Sequence, residues 1–319
     1  TGDARDKHLR DAARCFQEAD LPVKAAPYYL ALSDRTNDPK ERLRFQTLAL
    51  QLLVRSGQMD RARPLLANLA EEFGIRFTPR TGKKSVGYLK KIAGLADQLS
   101  DVNTRDLNSA KPISVKGEDA NLESAKDCEL HFCSEISRSM AMLDFRSTMQ
   151  LVFHGGKRAV DYGSTADRIH FGAMANVWTA VFSGRRTEYL NQSRASLVDM
   201  LTRMRNQPAS KITAEIRSGV AFVETLAMRW SAVPGAVDAS VVDFIADSTP
   251  RRFEIAHTRW LRLWADWHLG RWDEMRSMSS EMVEDASRRN DSFQQLVATT
   301  GYGGNAFLFS GRIDQLRKL

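Results

Sequence analysis

Apolar residues in this chain recur with a helical period, most plainly over residues 43–74, LRFQTLALQLLVRSGQMDRARPLLANLAEEFG. Phe45, Leu48, Ala49, Leu52 and Leu53 fall at i, i+3, i+4, i+7 and i+8, which puts them on one helical face. After a break, Ala62, Leu65, Leu66, Leu69, Ala70 and Phe73 repeat the pattern. The break, Ser56-Gly57-Gln58-Met59-Asp60, reads as a turn: Gly57 takes the left-handed conformation that ends a helix, and Asp60 accepts backbone N–H bonds at the start of the next. Pro64 is expected in the first turn, where a missing N–H matters little. Gly74 closes the unit. The product is a helical hairpin with an apolar inside that it cannot bury alone.

The same texture runs the length of the chain. Residues 4–19 carry Leu9, Ala12, Ala13 and Phe16, and a turn at Asp20-Leu21-Pro22 leads into Ala25, Ala26, Tyr29, Leu30 and Leu32. Asn37-Asp38-Pro39 ends that hairpin, because a residue before proline avoids the helical region. Val86, Leu89, Ile92, Ala93 and Leu99 mark another amphipathic helix. Residues 101–126 turn to Asn, Ser, Lys, Asp and Gly, so the expected organisation is helical hairpins over 1–100, a polar linker or long loop over 101–126, and a helical array over 127–319. In that array the pattern predicts helices near 127–143, 145–161, 165–183, 187–206, 210–231, 236–247, 251–269, 273–288 and 292–310. Phe171, Met174, Ala175, Trp178 and Phe182 form one inner stripe, and Ala256, Trp260, Leu263, Trp264 and Trp267 form another. Alternation of the kind a strand needs is missing at any useful length.

The turn itself returns as Ser183-Gly184-Arg185-Arg186-Thr187, Leu269-Gly270-Arg271-Trp272-Asp273 and Ser310-Gly311-Arg312-Ile313-Asp314. Each pairs a helix-ending glycine with a helix-starting Thr187, Asp273 or Asp314 three residues on. Successive glycines from Gly57 onward lie 127, 86 and 41 residues apart, close to three, two and one multiples of ~42, a two-helix repeat length. The expected fold is therefore all-α, an α-solenoid of tetratricopeptide-like hairpins in which each repeat covers its neighbour's apolar face.

Composition narrows the function. The chain has 319 residues, 43% of them hydrophobic, and no run approaches the ~18 consecutive apolar residues of a membrane-spanning helix. Three irregularly spaced cysteines suit a reducing cytoplasm better than a disulfide framework. The first residues, TGDARDKHLRDAARCF, show neither a signal core nor a cleavage site and begin within a helical pattern, so the chain is expected to be a fragment of a longer protein. The net charge of +7 is mostly scattered. Its densest basic segment, Arg76, Arg80, Lys83, Lys84, Lys90 and Lys91, lacks interleaved aromatics and a reading helix, so a solvated surface accounts for it better than nucleic acid does.

Candidate chemistry is thin. Gly82-Lys83-Lys84-Ser85 invites a phosphate-loop reading, but the glycine required five residues earlier is Phe77. Cys128, His131 and Cys133 match no zinc spacing, and helical positions 128 and 133 point to different faces. His154, His170 and His257 read as packing or surface residues within helices. No G-x-S-x-G elbow gathers a Ser, His and Asp. No catalytic residue, metal site or cofactor is therefore assigned. The strongest local feature is TRWLRLWADWHLGRW, with Trp260, Trp264, Trp267 and Trp272. These form either an aromatic groove for a peptide or small ligand or, by their i, i+4, i+7 spacing, a core between hairpins.

RFQTLALQLLVRSGQMDRARPLLANLAEEFGI, VGYLKKIAGL and RRFEIAHTRWLRLWADWHLGRWDEMRSMSSEMVEDASRRNDSFQQLVATTGYGG resemble the C-terminal region of large bacterial serine/threonine protein kinases fused to an AAA-type ATPase module, as in planctomycetes and myxobacteria. The resemblance covers most of residues 1–311 and lies in helical-repeat texture and turns. The kinase glycine-rich loop, HRD and DFG, and a complete Walker A, are all missing, so no catalytic residue carries over. It implies a non-catalytic regulatory or protein-interaction segment of a cytoplasmic signalling kinase–ATPase, working on a protein partner, on upstream domains of the same chain or on a small-molecule signal. The alternative is the sensor arm of a transcription regulator of the signal-transduction ATPase type.

Overall fold

The computed structural model describes residues 2–19, 21–77, 85–100, 125–141, 143–184, 186–247, 251–289 and 291–300. Among them are fourteen α-helices and no strand, so the chain is all-α. The helices are α1 (Gly2–Glu18), α2 (Pro22–Arg35), α3 (Pro39–Arg55), α4 (Met59–Glu72), α5 (Ser85–Ser100), α6 (Ala125–Met140), α7 (Phe145–Tyr162), α8 (Thr165–Phe182), α9 (Thr187–Arg203), α10 (Lys211–Leu226), α11 (Val233–Ala246), α12 (Arg252–Leu269), α13 (Trp272–Arg288) and α14 (Ser292–Thr299). Of the expected linker, 101–124 lie outside the described residues, and Ala125 and Lys126 already open α6.

Local chemistry explains the boundaries. Asp38 caps α3 by accepting the Lys40 N–H at 3.0 Å, with Pro39 as the first helical residue. Ser210 and Thr213 form a reciprocal capping box on α10. Three turns close alike. At Gly57, Gly74 and Gly270, φ is +74°, +66° and +70°. The following N–H reaches back to the sixth residue: Gln58 to Leu53 at 2.9 Å, Ile75 to Ala70 at 2.7 Å, Arg271 to Asp266 at 2.8 Å. Gly184 is also left-handed, at +60°. Gly311 and Asp314 lie outside the described residues.

Two expectations about these turns are corrected. Asp60 and Asp273 are not caps: α4 starts at Met59 and α13 at Trp272, ahead of both, and the cap positions belong to Gln58 and Arg271, neither with a side-chain cap bond. Thr187 likewise is the first helical residue behind Arg186. Each acidic residue sits inside the first turn, where it favours the positive end of the helix dipole. The early start also moves Pro64 to the sixth residue of α4, beyond the first turn, so one ladder bond is lost there.

The helices form two compact units that interleave along the sequence. One comprises Thr1–Lys84 with Lys116–Asp167, the other Ser85–Val115 with Arg168–Leu319. In the first, α1 to α4 pack in succession, α3 also packs against α6, and α6 against α7. Leu50, Leu53, Phe132, Ile136 and Leu151 are fully buried there. In the second, α9 to α14 pack in succession, and α12 also touches α10 and α14. Alternate helices are thus in contact at α10 with α12 and at α12 with α14. Phe171, Ala175 and Trp178 of the first expected stripe are buried, and Met174 and Phe182 half-buried.

Gly270 offers a direct test of the turn chemistry. A Cβ added there would meet nothing nearer than Trp272 Nε1 at 4.0 Å, so the penalty for a side chain is backbone strain and not collision. Gly270→Val is expected to lower unfolding free energy by about 1–2 kcal/mol, with Gly270→Asn less harmful. Urea titration of both variants checks this, and an unchanged midpoint for valine would remove the left-handed turn as its cause.

Candidate partner-binding surface

Helix α12, RFEIAHTRWLRLWADWHL, separates two small cores. On one side Leu261 and Ala265 pack with Ala221 of α10 and with Val233 and Val237 of α11. On the other, Ala256 and Leu263 pack with Met275 and Met282 of α13 and Ala298 of α14. The tryptophans stand at the edges of these cores. Trp260 borders the first and Trp267 the second, and both are half-buried. Trp264 tilts against Trp260 with centroids 4.7 Å apart, while Trp272, 45% exposed, meets Trp267 edge-on at 5.0 Å. Trp260 thus meets Trp264, and Trp267 meets Trp272.

The spacing of the helix explains what they do form. Phe253, His257, Trp260, Trp264 and His268 occur at i, i+4, i+7, i+11 and i+15, which is one continuous stripe. Phe253 tilts against His257 at 4.4 Å. His268 stacks on Trp230 at 4.0 Å and 13°. Sequence reasoning missed Trp230, because it comes from the connection between α10 and α11 and no period ties it to α12. The result is an aromatic ridge with imidazoles along it, buried at Phe253, half-buried at His257, Trp260 and Trp264, and exposed at His268.

A charged layer lies behind the ridge. Asp266 is fully buried, its Oδ2 accepting from Arg262 Nε at 2.8 Å, and Arg271 Nη1 stands 3.9 Å from Oδ1. Burial pushes the Asp266 carboxyl above its usual value, and the two guanidiniums offset this only in part. Arg262 also spans to Asp238 of α11 with bonds of 2.9 and 3.0 Å. One arginine thereby fixes α12 against α11.

The first unit holds a different polar cluster. Glu129 on α6 accepts from Tyr162 OH at 2.5 Å and from Arg158 Nε at 3.1 Å, and pairs with His154 Nε2 at 2.6 Å, all three from α7. Burial opposes its charge, but the bonds from Tyr162 and His154 and the Arg158 charge outweigh it, so its carboxyl lies below the ordinary value. Burial and the same carboxylate hold the Tyr162 hydroxyl well up. His154, expected to be a packing or surface residue, is thus a hydrogen-bonding partner between helices. His170 is likewise paired, its Nδ1 2.7 Å from Glu215 Oε2. Cys128, His131 and Cys133 are all buried, and burial raises both thiols. Among the described residues no three His, Cys, Asp or Glu side chains are grouped to hold a metal ion.

Of the basic segment, Arg76, Lys90 and Lys91 are described and exposed, and the others lie outside the described residues. Among those residues no helix is long and apolar enough to cross a membrane. No protein-family model matches the sequence, and neither the curated proteins nor the solved structures contain a match to it.

Proposed function

We propose that this chain is a non-catalytic regulatory arm, built of helical hairpins with a degenerate repeat of ~42 residues, that takes a protein partner on the α12 ridge. The observation that carries the reading is the ridge itself: His257, Trp260, Trp264 and Trp230 half-buried and His268 exposed, beside helices that two cores hold. Side-chain pairs between stacked helices support the repeat, since Ser218 bonds Thr258 forty residues on and His170 pairs with Glu215 forty-five residues on.

The parent protein is proposed to be a cytoplasmic signalling kinase fused to an AAA-type ATPase, on the strength of the sequence resemblance, with the arm acting on its catalytic domains or on a separate protein. The test uses both the arm and its parent. With ATP, Mg²⁺ and a generic protein substrate, the arm alone leaves the substrate unmodified, because it contains no phosphate-cradling loop or catalytic-loop motif. In the whole protein, Trp264→Ala should change the phosphotransfer rate several-fold, in the range of ~1–3 kcal/mol typical of allosteric coupling. Magnesium-dependent phosphotransfer by the arm, or a parent indifferent to Trp264→Ala, would overturn the reading.

A further inference from the structure

The chain has six histidines, and His154 on α7 combines two properties that the others divide. One ring nitrogen is held by a carboxylate, and the other is left for chemistry. Nε2 lies 2.6 Å from Glu129 Oε1 of α6, within the same unit, and the side chain keeps 22% of its surface exposed. Nδ1 makes no hydrogen bond among the described residues. His170 also pairs with a carboxylate, but it is 2% exposed and the pair uses its Nδ1. His131 is buried, and His257 has Nδ1 against Phe253 O and Nε2 buried. His8 is exposed and has no carboxylate partner among the described residues, while His268 is exposed with its ring stacked on Trp230.

Glu129 sets the tautomer. Burial opposes its charge, but Tyr162 OH at 2.5 Å, His154 and Arg158 Nε at 3.1 Å outweigh that, so the carboxyl is ionised. An ionised carboxylate only accepts, which places the proton of a neutral imidazole on Nε2 and the lone pair on Nδ1. Positive charge gained by the ring then meets a counter-ion already in place, as for the histidine of a hydrolase triad. Lys157 and Arg158 follow at i+3 and i+4, which puts them beside His154 on the helix surface, the first exposed and the second 42% exposed. Nδ1 is thus a nucleophilic nitrogen next to two cations. That combination suits an incoming group that is both electrophilic and anionic, and a phosphoryl group is both.

We propose that His154 Nδ1 is a phosphoryl-acceptor site, charged by a donor with a phosphorus–nitrogen bond such as the phosphohistidine of another protein. The Nδ1 lone pair forms the new N–P bond as the donor's N–P bond breaks. The breaking pair leaves with the donor nitrogen, as a neutral imidazole when the donor's other ring nitrogen carries a proton. His154 keeps its proton on Nε2 and becomes an imidazolium that Glu129 balances, while Lys157 and Arg158 supply positive charge to the phosphoryl oxygens. The α12 ridge shares no residue with this site, so either can fail without the other.

The probe is phosphoramidate, whose protonated nitrogen leaves as ammonia, incubated with the intact chain. His154 should gain phosphate about tenfold faster than the exposed His8 and His268, read by peptide mass mapping in alkali, where phosphohistidine survives. Phosphorus–nitrogen correlation NMR should place the phosphate on Nδ1. Glu129→Gln keeps the shape of the side chain and loses its charge. It should slow uptake at His154 about tenfold and leave His8 and His268 unchanged, with urea unfolding as the check that the variant is folded. Uptake at His154 no faster than at His8 and His268 would overturn the proposal. So would phosphate on Nε2, and so would an undiminished rate in folded Glu129→Gln. Should that variant unfold, the comparison of histidines within the wild-type chain decides by itself.

Discussion

Glu135→Ala is expected to destabilise the first unit by about 3–5 kcal/mol, the loss typical when one member of a buried ionic cluster is removed. Glu135 is 1% exposed on α6. It accepts from Gln51 Nε2 of α3 at 2.5 Å and from Arg138 Nη2 at 2.6 Å, and Arg55 Nη2 of α3 lies 3.8 Å away. Arg55 Nε also donates to Ser139 Oγ at 3.3 Å. Alanine would take the carboxylate from two largely buried guanidiniums and an amide at one interface, and buried charge that loses its counter-ion is the expensive outcome. Glu135→Gln, which keeps the shape and loses the charge, should cost less than Ala. The combination Glu135→Leu, Arg55→Met and Arg138→Met should recover much of the loss, because a well-packed apolar replacement removes the desolvation penalty as well. Urea unfolding orders the three variants. An alanine variant within 1 kcal/mol of wild type would mean that the cluster is solvated and contributes little.

That cluster also marks the limit of what the sequence could disclose. Helix existence was legible because amphipathic periodicity is a local property: Phe45, Leu48, Ala49, Leu52 and Leu53 are all buried on α3. Gln51 and Glu135 belong to no period, and nothing within 84 residues of either points to the other. Turns were legible where glycine announces them and hidden where it does not. A single helix over 210–231 was expected, yet α10 ends at Leu226. Arg229 N–H then bonds Glu224 O at 2.9 Å, the same reach-back as at Gly57, with Met228 in the left-handed position at φ 56°. Methionine carries no signal for that conformation. The caps failed for a related reason: an aspartate three residues after a glycine fits a cap and a first-turn position equally well, and backbone bonds from Arg61 and Ala62 to Gln58 O begin α4 before Asp60 is reached.

The tryptophans show the same division. Their i, i+4, i+7 spacing correctly gathers Trp260, Trp264 and Trp267 on adjoining faces of α12, but periodicity cannot say which neighbour each ring leans on. Trp260 leans toward α10 and α11, Trp267 toward α13 and α14, and Trp264 pairs with Trp260 between them. The stack of Trp230 on His268 emerges only when the connection between α10 and α11 is brought against α12.

Leu263→Ala tests whether those two cores are independent. Leu263 is fully buried in the cluster with Met275, Met282 and Ala298, so truncation should cost about 2–5 kcal/mol, the spread reflecting how far the methionines close the cavity. Leu261→Ala removes a comparable side chain from the opposite core, against Ala221, Val233 and Val237. In an array where each hairpin leans on its neighbours, the first variant should deprotect α13 and α14 in hydrogen exchange while α10 and α11 keep their protection, and the second should do the reverse. The double variant is the sharper measurement. Residues 261 and 263 are close in sequence but share no cluster partner, so their effects should add within about 0.5 kcal/mol if each core is a separate unit of packing. A coupling well beyond that, together with uniform loss of protection from α10 to α14, would show that α12 transmits strain from one core to the other and that the second unit melts as one.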